Sequence, residues 1–330
     1  MHDLRPFIDT IEQIVASHCI EAGSYRRWNL NPDKDRGRDA YGCADAANIL
    51  YSIGRFPRDP GLRANHVRHL REMQNQQDGL WHDATHHQFH TTAHCTAALE
   101  LFDASPFVPL HALHPHRSPE GVRALLESLD WAGNPWPQSH LGAGLYAALT
   151  IANEADADFV DAYFDWLWAE ADPETGLWRR KCIDSAVSTK PISHHLGGSF
   201  HYVFNHVAAR RALRYPEALI DTCLRIRSED LWPGLGTKVG FAEIDWVFCI
   251  TRPLRQCGHR HGECMQALRE FSDGYLSYLD SLDLSRDPTV DDLHQLFGTV
   301  CCLAELQLAL PGSIRSEQPL KQVLDRRPFI

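Results

Sequence analysis

Basic clusters are what this chain most obviously lacks. Its 330 residues carry a formal charge of −11 with neutral histidines, and no block of Lys or Arg accumulates anywhere. Without that electrostatic footprint, no DNA or RNA partner is expected. No stretch reaches the roughly 18 consecutive apolar residues that a membrane-spanning helix needs. The opening stretch MHDLRPFIDTIEQIVASHC sets acids among its apolar residues, unlike the basic and then continuously apolar regions of a secretory signal. A soluble, cytoplasmic protein with no membrane partner is the expectation. Strand signals are nearly absent as well: there is no Asn-Gly hairpin dipeptide and little alternation of β-branched residues.

Helical material fills the space these absences leave. Hydrophobic residues make up 44% of the chain, enough at this length to bury a sizeable core without staples. The ten cysteines are scattered, and Cys43, Cys95, Cys249, Cys301 and Cys302 sit in apolar runs. They read as buried free thiols rather than a disulfide framework.

Trp28, Trp81, Trp136, Trp178 and Trp232 follow one another at separations of 53, 55, 42 and 54 residues. A loose period near 50 points to an internal helical repeat. Four of the five stand in turn-like contexts, DGLW, GNPW, TGLW and DLWPG, so each Trp is expected to mark the same structural place. Before the tryptophans come amphipathic segments such as EGVRALLESLDW and YPEALIDTCLRIRS, which suit helices with one buried face. After them come apolar, small-residue segments such as DAYGCADAANILYSI, SHLGAGLYAALTIA and DDLHQLFGTVCCLAELQLAL, which suit helices packed on both sides. The simplest closed arrangement is an all-α fold, an (α/α)6 toroid: one domain over residues 1–330, with six outer–inner helix pairs around a central cavity.

The unit REMQNQQDGLWHDATHHQFHTTAHCTAALEL resembles the repeats of the terpenoid cyclase and protein prenyltransferase α/α toroids. There, a Gln and a Gly-x-Trp turn end an outer helix and a Thr-Ala-rich helix follows. Weaker copies around Trp136, Trp178 and Trp232 extend the resemblance over most of the chain, and it implies the fold. Class II cyclases carry an Asp-x-Asp-Asp acid, whereas the nearest match here, TVDD, has Thr289 in the first acidic position. Prenyltransferases hold zinc through Asp, Cys and His, and the sequence DTC at 221–223 falls on an expected outer helix. The same architecture serves carbohydrate-acting hydrolases, lyases and epimerases, so the fold leaves the reaction open.

In such a repeat the long outer-to-inner connections gather at one rim, together with the amino termini of the inner helices, which favour anionic groups. The site is expected there. Polar residues recur along each inner segment at spacings that make one stripe: Tyr41, Asp45 and Asn48; His86, His90 and His94; Gln138 and Tyr146; His194, His201 and Asn205; Asp245; Asp291 and Gln295. Polar residues in apolar helices are costly to bury unless they face water, a ligand or one another. A polar lumen accounts for all six stripes.

Asp45, His90, His194, His201 and Asp245 are the candidates for acid and base, with Tyr41, His86, His94, Gln138, Trp178, Arg179, Glu243 and Asp292 for binding a substrate. Arg179, with Arg180 and Lys181, would grip a carboxylate from a long loop. Glu243 and Asp245 stand two apart, so on a helix at most one, Asp245, is expected to reach the lumen. His90 and His94 have the i, i+4 spacing of a zinc pair, but without a His-Glu-x-x-His pattern no metal or other cofactor is expected. The run RQCGHRHGEC reads as surface. Such a lining suits acid/base chemistry on a small glycan or sugar acid, by hydrolysis, elimination or epimerisation. The alternatives are an isoprenoid-handling enzyme, with an apolar cavity and one isolated acid, and a non-catalytic binding toroid.

Overall fold

The computed structural model describes residues 1–284 and 287–330. The described residues are overwhelmingly helical, with only two pairs of very short strands: β1 (His2–Asp3) runs parallel to β4 (Ile314–Arg315), and β2 (Cys19–Glu21) antiparallel to β3 (Ser24–Tyr25). Among these residues, no helix is long and apolar enough to cross a membrane.

Six helices bury one face only: α1 (Arg5–Ser17), α3 (Pro60–Glu72), α5 (Pro119–Ser128), α7 (Ala157–Glu170), α9 (Pro216–Ser228) and α11 (His261–Asp280). They alternate with six that are buried almost throughout: α2 (Ala40–Ser52), α4 (Gln88–Leu101), α6 (Pro135–Ile151), α8 (Ile192–Ala208), α10 (Ala242–Leu254) and α12 (Leu293–Ala309). The helix starts are written locally. Asp39, Asp59, Ser118, Asp156 and Asp292 each accept a hydrogen bond from a first-turn N–H, and proline occupies the first turn of α3, α5, α6 and α9.

Packing among the buried helices runs from α2 to α4, α6, α8, α10 and α12, and α12 packs back on α2. Small side chains let them approach from both sides, and the main core lies between them and the one-faced helices. The carboxyl-terminal segment, with the short α13 (Val323–Arg326), lies across the far ends of this set. Lys321 donates its N–H to the Ser52 carbonyl at 2.9 Å. Arg326 pairs with Glu100, Asp325 with Arg252 at 2.6 Å, and buried Arg327 donates to the Ala97 carbonyl at 3.1 Å and to Asn48 Oδ1.

The tryptophans divide into two groups, which corrects the expectation that all mark one place. Trp81 and Trp178 are true repeats: each indole N–H donates at 2.7 Å to a leucine carbonyl eleven residues earlier, Leu70 and Leu167 respectively. Each also donates its backbone N–H at 3.0 Å to a hydroxyl on the next buried helix, Thr92 or Ser199. The turns before them match, with Gly79 at φ +80° and Gly176 at φ +70°; a Cβ at Gly79 would come within 2.0 Å of the Pro109 carbonyl oxygen. Only glycine is at ease there. In the other repeats the pinning indoles are Trp131, bonded to the Leu126 carbonyl at 3.2 Å, and Trp246, bonded to that of Cys223 at 3.0 Å. Trp136 and Trp232 are thereby released for another use.

Candidate active site

A cavity of about 330 Å³ opens among the first turns of the buried helices. His86 and His90 enter it at the start of α4, Trp136 and His140 at the start of α6, Glu243 and Asp245 at the start of α10, and His294 and Gln295 at the start of α12, while His201 reaches it from the middle of α8. Trp232, Lys238, Gly240 and Phe241 come from the loop before α10, and Ile330 from the carboxyl-terminal segment. Trp136 and Trp232 meet edge to face, with centroids 5.7 Å apart at 87°.

Two histidine clusters lie side by side. In the first, Asp45 of α2 is fully buried, and its Oδ1 receives His94 Nε2 at 2.8 Å and His294 Nδ1 at 3.1 Å. Burial works to raise the Asp45 carboxyl, but the two imidazoles outweigh it and hold Asp45 below the usual carboxylate range. With Nδ1 engaged by Asp45, Nε2 is the nitrogen His294 has left for the cavity it lines.

The second cluster is His90, His140 and His201, with one ring nitrogen from each lying within 4.8 Å of the others. No carboxylate joins it. His90 Nδ1 meets the Tyr41 hydroxyl at 2.5 Å and His201 Nδ1 meets Ser139 Oγ at 2.9 Å. Neither ring nitrogen of His140 has a hydrogen-bond partner among the described residues. Burial first, and then the neighbouring imidazoles, push His90 and His140 well below the ordinary histidine value. Burial takes His201 down to about 3. His86, stacked on Tyr41 at 4.5 Å and on His90 at 4.8 Å, falls to about 2, chiefly through burial and then through the charges of His294 and Arg27. These rings are neutral at pH 7.

The carboxyls that share the cavity show the opposite shift. Burial pushes Glu243 up to about 7, although its Oε1 accepts the Gly236 N–H at 3.0 Å. Asp245 is raised well above the carboxylate range, by burial and then by Glu243, and its buried Oδ2 has no partner among the described residues. Both acids line the cavity, contrary to the expectation that a spacing of two would admit only one. The reason is their place in the first turn of α10, at the helix end that opens on the space.

The stretch 82–94 uses its five histidines in four ways. His82 pairs with Asp78 at 2.8 Å on the surface, and the His87 side chain caps α4 by accepting from the Phe89 N–H. His86 and His90 line the cavity, and His94 stands behind it on Asp45. Tyr41 and Asp45 likewise stand behind the lining rather than in it. The structure does not bring five of the candidates to the cavity. His194 sits at the start of α8 with its edge toward the Trp136 ring at 5.9 Å. Gln138 accepts the Asp130 N–H at 3.3 Å. Trp178 is a buried packing residue. Arg179 is held on the outside by Glu170 at 2.7 Å and by Glu127, because carboxylates of α7 and α5 neutralise it. Asp292 caps α12 and pairs with Arg27 at 2.6 Å. In the RQCGHRHGEC run, His259 pairs with Asp221 at 2.9 Å.

Sequence reasoning passes over His140, His294, Trp136 and Trp232 as lining residues. His140 follows Trp136 by four, a visible stripe that is hidden once Trp136 is assigned to packing. His294 is hidden by helix register: α12 begins at Leu293, so Asp291 lies outside it and accepts the Asn29 and Leu30 N–H groups at 2.8 and 2.7 Å. Among the described residues two sets could hold a metal ion, His90–His140–His201 and Asp45–His94–His294. Comparison of the chain with protein-family models, with curated proteins and with solved structures finds no match.

Proposed function

We propose that the protein is an enzyme of the six-pair α/α toroid type, a single cytoplasmic domain that carries out acid/base chemistry on a carbohydrate-like substrate or sugar acid. The cyclic order of packing among α2, α4, α6, α8, α10 and α12 supports the toroid. The observation that carries the function is the lining: imidazoles and two carboxyls whose ionisation burial opposes face one space, beside a pair of indoles. Hydroxyl-rich substrates need many donors and acceptors together with an aromatic face, and this wall offers both.

Within that reading His294 is the base. Asp45 orients it and fixes its tautomer, as the buried carboxylate does in a Ser-His-Asp triad, and its free Nε2 belongs to the ring that faces the cavity. Glu243 and Asp245, whose ionisation burial opposes, are the acids on the adjoining helix α10. An isoprenoid cation would be poorly served here, because neutral imidazoles would take its proton.

The test is turnover with a panel of aldoses, uronic acids and uronate oligosaccharides. Proton exchange in deuterated water reads epimerisation, unsaturated products read elimination, and new reducing ends read hydrolysis. One of these activities should appear and fall about 10²–10⁴-fold in His294→Ala, the range for removal of a general base. Absence of both turnover and saturable binding across the panel, or equal rates in the wild type and His294→Ala, would overturn the proposal.

A further inference from the structure

We infer that His90, His140 and His201 form a binding site for a divalent transition-metal ion, zinc above all. This goes beyond the acid/base reading and rests on it only for what the metal would serve.

Three histidines from three successive buried helices, α4, α6 and α8, bring one ring nitrogen each to within 4.8 Å of one another. Nitrogens around tetrahedral zinc at 2.0–2.1 Å lie about 3.3 Å apart, so a small rotation of the side chains closes the set. Left without an ion, the three imidazoles pack ring against ring, His140 at 4.3 Å from His90 and 4.8 Å from His201, but their converging nitrogens find no partner in one another. No hydrogen bond links them and no carboxylate stands among them.

Two further features point to a ligand. Nδ1 of His90 is engaged by the Tyr41 hydroxyl at 2.5 Å and Nδ1 of His201 by Ser139 Oγ at 2.9 Å, so Nε2 is the nitrogen each has left. Such outer partners fix the ring orientation of metal-binding histidines. Asp245, buried and lining the same cavity, also keeps Oδ2 without a partner. Three neutral nitrogens with a cavity on one side make an open site, in which the fourth position is free for water or a substrate oxygen. In the neighbouring Asp45–His94–His294 set the facing atoms are already spent on one another, Asp45 Oδ1 on His94 and on His294, although Asp45 Oδ2 and His94 Nδ1 keep no partner among the described residues.

The deciding experiment uses the full chain and measures metal, not turnover, so its outcome is independent of the proposed activity. Protein purified without chelator is analysed for zinc by mass spectrometry, stripped, and titrated with Zn²⁺ and with Co²⁺ as an optical probe. The inference predicts about one equivalent of metal, visible absorption from low-coordinate Co²⁺, and an affinity at least 10²-fold lower in His140→Ala and in His201→Gln. His82→Ala, on the surface, should bind as the wild type does. Zinc should also raise the melting temperature of the wild type and leave that of His140→Ala unmoved, which separates loss of the site from loss of the fold. Binding no stronger than that of surface histidines, or full retention in His140→Ala, would overturn the inference. So would loss of the metal in His294→Ala with retention in His140→Ala, which would move the ion to the other cluster.

Discussion

The two histidine clusters are adjacent and built on the same set of helices, the one around Asp45 wholly buried and the other half-open at His140, yet they answer opposite demands. Around Asp45 the polar atoms meet one another: a single carboxylate oxygen takes two imidazoles, at 2.8 and 3.1 Å. Around His140 the polar atoms converge without meeting, and burial opposes the ionisation of the carboxyls that share their cavity. The first arrangement joins its facing atoms within the protein, although Asp45 Oδ2 and His94 Nδ1 keep no partner among the described residues. The second, on the inference drawn above, is completed by an ion.

Removing the acid should break the contrast most severely. Asp45→Ala leaves two buried imidazoles without their acceptor and is expected to cost about 3–5 kcal/mol, the range for breaking a buried pair from one side. Urea denaturation checks this, and a loss below about 1 kcal/mol would show that the two imidazoles do not depend on Asp45.

A pH series sharpens the other side. The folded pKa of Glu243 is raised from 4.5 to about 7, so its stabilising contribution is complete below pH 4.5 and is lost as pH rises through 7. Glu243→Gln abolishes that loss. The variant should therefore gain on the wild type between pH 5 and pH 8 by up to about 3 kcal/mol, since a tenfold change in proton affinity corresponds to about 1.4 kcal/mol. The burial-depressed histidines act in the opposite direction over an overlapping range, but equally in both proteins, so the difference reports Glu243 together with its coupling to Asp245. A difference that stays flat across this pH range would mean that Glu243 ionises freely.

The smallest effect is expected at His140→Ala, which removes a ring with no hydrogen-bond partner. The change in stability without metal should stay within about 1 kcal/mol. A much larger loss would mean that His140 is an ordinary packing residue, and the comparison would fail.

Much of this was legible in the chain. The alternation of one-faced and small-residue helices follows from periodicity, and the polar stripes named His86, His90, His201 and Asp245, which all reach the cavity. What escaped depended on a helix start or on a long-range partner. A helix beginning at Leu293 rather than earlier exchanges Asp291 for His294. Arg179 has carboxylates waiting on α5 and α7, which no local pattern shows. The tryptophan period is real at Trp81 and Trp178 but misleads at 136 and 232, because Trp131 and Trp246, off the period, carry the pinning hydrogen bonds there.

That division among the tryptophans has an optical consequence. Trp81, Trp131, Trp178 and Trp246 are at most 1% exposed and tied to backbone carbonyls, so their emission is a steady background whatever occupies the cavity. Trp136 and Trp232 form part of its wall beside Lys238 and the imidazoles, where a bound molecule would change both quenching and solvent relaxation. The protein thus carries its own fluorescent gauge of occupancy, legible without a label and before any substrate is known.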